Sequence, residues 1–135
     1  MKTRTLRRRD QRGVVAVEFM LVISMLIVVF LLMLQYAVRA HAERIAAAAA
    51  EEGLAAAASY DGTAAEGERV AGGYLTRLGP GLTSATVEAR RDATTATVSV
   101  TGQVQQLIPF LPVGVRVRVE GPVERFVPPS TAGAP

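Results

Sequence analysis

Residues 12–19, Arg12-Gly13-Val14-Val15-Ala16-Val17-Glu18-Phe19, bring together the side chains best suited to chemistry. Glu18 is the only charged residue between Val14 and Val38. A carboxylate inside a membrane span costs about 2.5–3.5 kcal/mol at the centre and less near the edge, so it is a functional candidate by default. Five residues upstream, Gly13 has no side chain, so its backbone can enter a protease cleft closely and leave helical geometry without strain. The pattern therefore marks Glu18 as a functional candidate and Gly13 as a point of close backbone access. A plainer alternative has the Glu18 carboxylate reaching the headgroups with no further role.

Nothing else in the chain matches this. His41 is the single histidine and cysteine is absent, which leaves no zinc-ligand set and no thiol chemistry. Glu120 and Glu124 are separated by Gly121-Pro122, a poor frame for a preorganised acid pair. No nucleophile–base arrangement and no phosphate-cradling glycine loop appears, so the sequence reads as neither an enzyme nor a cofactor-binding protein. Asparagine is absent, which excludes N-linked glycosylation.

The elements around this stretch are legible from charge and periodicity. Residues 14–38 form an apolar run that would make a helix roughly 37 Å long. A hydrocarbon core of about 30 Å needs about 20 apolar residues, so the run is long enough to span with tilt. Before Gly13 stand Lys2, Arg4, Arg7, Arg8, Arg9 and Arg12 against one acid, Asp10. This leader carries +5, and the rest of the chain −2, of a formal net charge of +3. Positive charge on a short tail beside a span sets orientation, with the N-terminus cytoplasmic. A nucleic-acid binder would instead carry its basic residues on a folded face with readers beside them. The leader would also hold Gly13 at the inner lipid surface, at about 1 kcal/mol per basic residue.

The small-x-small triplet Ala40-His41-Ala42 has the form of a signal-peptidase site, which would release a secreted domain. The apolar run is too long for a signal peptide, Arg39 lies just before the supposed cut, and strong helix formers follow it. An anchor is the expected outcome.

Alanine-rich sequence continues the helix past the span to about residue 58, ending near Ser59-Tyr60-Asp61-Gly62 and projecting roughly 30 Å beyond the membrane. Close helix packing is one use for the alanines at 46–50 and 55–58; compositional bias is the other reading. A second helix fits Ala64 to Leu78, with Val70, Tyr74, Leu75 and Leu78 on one stripe, before Gly79-Pro80-Gly81 breaks it. Period-two alternation then marks three strands around residues 85–90, 96–101 and 113–120, with a turn at 91–94. The loop at 105–112 is too apolar to be left in water, so it should fold over the sheet edge or meet a partner. Arg116, Arg118 and Arg125 read as one solvated sheet face, with a partner-binding strip as the alternative.

The expected organisation is a disordered basic leader at 1–13, a transmembrane helix at 14–38 and its outer continuation at 39–62. A small extracytoplasmic domain at 63–126 and a flexible tail at 127–135 complete it. The fold class is α+β: a membrane-anchored long helix, a second short helix and a small three-stranded antiparallel sheet.

The stretch Arg12-Gly13-x4-Glu18-Phe19 resembles the processing site of type IV prepilins and pseudopilins. With Ala48-Ala49-Ala50-Glu51-Glu52-Gly53 and its flanking alanines, it is similar to the TadE-like family of tight-adherence (Flp) pilus assembly. Pro122-Val123-Glu124-Arg125-Phe126 loosely resembles related C-termini, and the match covers about a third of the chain. The chain departs from the usual pattern in having Val14, not a small residue, after the glycine, and no proline in the span. The resemblance implies cleavage between Gly13 and Val14 by a membrane prepilin peptidase, with N-methylation of Val14 by the same enzyme. It implies that Glu18 meets the new amine of a neighbouring subunit. It further implies a single-pass protein of the cell membrane that partners other pilins and pilus machinery and enters a pilus. Without cleavage, the same sequence would be a membrane-anchored binding or accessory module.

Overall fold

Between Arg8 and Ala58 there is no proline, and good helix formers dominate. The computed structural model, which describes residues 8–79 and 81–125, has one unbroken helix there, α1 (Arg8–Ala58, 51 residues). It begins six residues before the expected start, inside the basic leader. Arginine is a good helix former, and extending an existing helix costs far less than nucleating one. Residues 1–7, Pro80 and the tail from 126 lie outside the described residues.

The two halves of α1 differ in what covers them. From 13 to 34 every residue is exposed except half-buried Leu31. Beyond, Ala42, Ala46, Ala49, Ala50, Gly53 and Ala57 are buried at steps of three and four, one continuous face. The alanines thus serve contacts within the chain.

Helix α2 (Ala64–Leu78) runs back against that face. Thr63 caps its start, its hydroxyl accepting from the Glu66 amide at 3.1 Å. The bounds are those expected from the sequence. The contact is close because two glycines meet. A Cβ at Gly53 would sit 2.8 Å from the Gly67 carbonyl oxygen, and one at Gly67 would sit 2.8 Å from that of Gly53.

The sheet is an antiparallel meander of β1 (Leu82–Arg91), β2 (Thr95–Val104) and β3 (Gly114–Pro122), in that order. Val98 pairs with Ala89 and Val119, and Val100 with Val87 and Val117, so the apolar positions align on one face. That face packs on both helices. The core is Ala42, Ala46, Ala49, Ala50, Ala71, Leu75, Ala89, Val98, Val100, Val104 and Val115. Its largest fully buried side chains are Val98 and Val100. A core of such small groups depends on close backbone approach more than on apolar bulk.

β1 starts three residues before the alternation that predicts it. The register shifts between Thr83 and Thr86, and Ser84 has φ 53°, so a bulge interrupts the period of two. Glu68 of α2 covers part of the free β1 edge by accepting from the Ala89 amide at 3.0 Å.

The β1–β2 turn is built on Asp92. Its Oδ1 accepts from the amides of Thr94 and Thr95, both at 2.8 Å, and from the Thr94 hydroxyl at 3.1 Å. These bonds favour the anion and hold the carboxyl below the usual aspartate range. A depressed folded pKa contributes stability above the ordinary value that is lost as pH falls toward the folded one. Glu66, lowered by its hydrogen bond from Arg69, acts in the same window. Unfolding measured below about pH 4 should therefore show a stability loss that Asp92→Asn, which keeps an acceptor without the titration, makes shallower. An unchanged pH profile in that variant would refute the assignment.

Candidate processing and assembly site

Gly13, Val14, Glu18 and Phe19 lie in the first turns of α1, all exposed. Val14 and Glu18 are four residues apart, one turn along the same face, with Phe19 beside them. Nothing lies within 4 Å of a Cβ built on Gly13. The Gly13–Val14 peptide bond is within helix, so any cleavage there would require that turn to unwind first. Glycine eases the opening by about 1 kcal/mol against alanine. The Glu18 carboxylate makes no hydrogen bond or ion pair with any described side chain. About 26 Å of helix separates Glu18 from Gln35, where the folded domain first hydrogen-bonds to the side of α1.

Gln35 is a residue that reading for charge alone passes over. It stands about one turn before the long apolar run ends at Val38, and it is only 3% exposed. Its Oε1 accepts from the Leu107 amide at 2.8 Å, and its Nε2 donates to the Gln105 carbonyl at 3.5 Å. The apolar 105–112 loop therefore docks on the helix through its backbone, and not over the sheet edge. The legible signal was a lone amide side chain at the end of an apolar helix, which needs partners once water is excluded.

At the far end of α1 a second unforeseen residue acts. The last four carbonyls of the helix, Ala55 to Ala58, all find donors: Ser59 N at 3.2 Å, Ser59 Oγ at 2.9 Å, Arg91 Nη1, and Glu124 N at 2.8 Å. Arg91 also donates to the carbonyls of Ser59 at 2.7 Å and Tyr60 at 3.4 Å. The last turn of α1 has no basic residue of its own, so β1 supplies the cation that the helix C-terminus favours.

Other sequence-level candidates separate. Arg116 and Arg118 share the exposed sheet face with Glu88, Arg90 and Glu120, and Arg118 is 3.9 Å from Glu120. Arg125 does not belong to that face: it follows β3 and donates to the Ala93 carbonyl at 2.6 Å, bracing the β1–β2 turn. Arg39 pairs with Glu43 at 3.0 Å, an exposed one-turn pair of small energetic weight, and His41 is exposed. Comparison with known proteins finds no family model, no curated protein and no solved structure that matches the chain.

Proposed function

We propose that this chain is a pseudopilin-like, TadE-type subunit for assembly of a tight-adherence (Flp) pilus. In this reading residues 14–38 anchor it in the cell membrane, leader inside and domain outside. Prepilin peptidase cuts between Gly13 and Val14 and methylates Val14. Glu18 then meets the new amine of a neighbouring pilin or pseudopilin and sets subunit register.

One observation carries the reading most. A single continuous helix is bare and apolar over one half, is the spine of a small α+β domain over the other, and bears Gly13 and Glu18 at its bare foot. A 22-residue stretch so exposed would be insoluble in water, whereas lipid accommodates it. The helix is also rigid enough to carry register from Glu18 to the outer domain.

A second reading, an uncleaved single-pass anchor for a binding or accessory module, is favoured by one feature. The helix passes through Gly13 without a break to Arg8. Release after Ala42 is disfavoured, because the cut would discard Ala42, a core residue, and buried Gln35.

Intact mass and N-terminal sequencing of the protein from its native membrane distinguish the three. The pilus reading expects a start at Val14 with one added methyl, and Gly13→Arg should abolish that product. A retained leader supports the uncleaved anchor, and a start at Glu43 supports secretion.

A further inference from the structure

We infer that the β2–β3 loop, residues 105–112, is a second membrane contact, a foot that inserts into the outer lipid interface beside the helix. This rests on the anchor reading above and adds to it a surface that no part of that reading requires.

Position comes first. From Val14 to Gln35 the helix rises about 32 Å, close to one hydrocarbon thickness of about 30 Å. The two hydrogen bonds from Gln35 to the loop backbone therefore fix the loop about one turn before the apolar run ends at Val38, near the outer edge of the span. The Arg39–Glu43 pair stands one turn further out, in the headgroup and water region. Leu31, one turn below Gln35 on the same face, is the only residue between 13 and 34 that loses exposure.

Chemistry and geometry agree with this depth. Between Asp92 and Arg116 the chain has no charged residue, and the loop is Gln-Gln-Leu-Ile-Pro-Phe-Leu-Pro. Its base is closed by the Val104 amide donating to the Val113 carbonyl at 3.0 Å. Phe110 stands at the tip with 98% of its surface exposed, flanked by exposed Leu107 and Leu111. Phe110 also has φ 69°, a left-handed conformation that is unfavourable for a bulky residue. Strain that holds an aromatic ring away from its own protein calls for an apolar receiver outside it.

The opposite end of the sheet makes the contrast. There Arg91 and the Glu124 amide meet the C-terminus of α1, and Asp92 and Arg125 brace the adjoining β1–β2 turn, far from the bare half of the helix. The β1–β2 end of the sheet carries charge, whereas the 105–112 loop at the opposite end, beside the bare half of the helix, carries none. Lipid is the occupant that this alignment selects. Aromatic and aliphatic side chains at the interface are the usual means by which a protein seats against a bilayer.

The chain has no cysteine, so single-cysteine variants can be labelled uniquely. The full chain would be reconstituted in phosphatidylethanolamine–phosphatidylglycerol vesicles with an environment-sensitive fluorophore at Phe110→Cys, Met25→Cys or Ala93→Cys. All three positions are exposed, so the fold should tolerate them. The lipids carry a nitroxide quencher at shallow or deep acyl positions. The expected result is strongest deep quenching at position 25, and shallow quenching at 110 several-fold above that at 93.

If position 25 is quenched while 110 stays aqueous and open to iodide, the foot is refuted and the anchor survives. If 110 is shielded from iodide yet insensitive to nitroxide lipid, protein covers the loop and the inference is again overturned. If position 25 itself escapes lipid quenching, the anchor reading fails first and the foot with it.

Discussion

Gly53→Leu should destabilise the outer domain by about 2 kcal/mol, the net of two opposed effects. In an isolated helix, replacing glycine gains about 1 kcal/mol. Here the first carbon of any side chain would lie 2.8 Å from both the Gly67 carbonyl oxygen and the Ala71 Cβ, and 3.4 Å from a Val98 methyl. Backbone oxygen cannot swing aside as a flexible side chain can, so the helices must part. Overpacking of this kind costs about 1–3 kcal/mol, occasionally more, and the other leucine carbons have nowhere to go. Parting α1 from α2 would also open the contact that seals Val98, in a core with little apolar bulk to spare. At 1.4 kcal/mol per tenfold, native-state hydrogen exchange of the Val98 and Val100 amides should speed up by about 25-fold. Gly67→Leu should act alike, and the double variant should lose less than the sum, since both break one contact. Exchange within a few-fold of the parent would show that the helices are not in close contact.

Arg91→Ala should cost about 2 kcal/mol, concentrated at the far end of α1. The guanidinium donates to three backbone carbonyls, those of Ala57, Ser59 and Tyr60, which point to it from the end of the helix. Bonds from a charged donor are stronger than neutral ones, and a cation at a helix C-terminus adds a favourable dipole interaction. Arg91→Lys keeps the charge and loses the planar fork, so it should recover only part of the loss. Hydrogen exchange at residues 59–62, with the thermal midpoint of the full chain in detergent, would read both effects. Parent-like behaviour of the lysine variant would mean that the fork geometry is not used, and equal behaviour of the alanine and lysine variants would mean that charge alone contributes nothing.

These two contacts have a shared consequence for the proposed role. The outer half of α1 is held along its length by the Gly53–Gly67 crossing and at its end by Arg91 and Glu124. Next to the bare half of the helix Gln35 ties it to the 105–112 loop. The domain is thus fastened to its own helix at three heights, and a displacement of the anchor would move it as one body. For a subunit drawn from a bilayer by its helix, that rigidity would transmit the movement outward.

Much of this architecture is local, and so was open to reading from the chain. A bare apolar run, an alanine-rich continuation without proline, one capped helix and three alternating segments each declare themselves within a few residues. Helix propensity and side-chain periodicity act at that range, which is why α2 matches its expected bounds and the three strands occur in their expected order. The Gly13–Glu18 pattern is equally local and needs no fold to be noticed.

The contacts that fasten these pieces join residues far apart in sequence, and no periodicity announces them. Gln35 and Leu107 are 72 positions apart, and Arg91 and Ala57 are 34. Gly53 looks like a flaw in a helix until Gly67 is seen against it, and Arg125 looks like a strand cation until it is found at the β1–β2 turn. The alanine block is ambiguous as sequence, because small side chains suit any close contact; only packing shows that its partner is this chain's own sheet and second helix. Local physics determined the elements, while satisfaction of buried carbonyls, amides and close backbone surfaces, which depends on three-dimensional proximity, decided how they are joined.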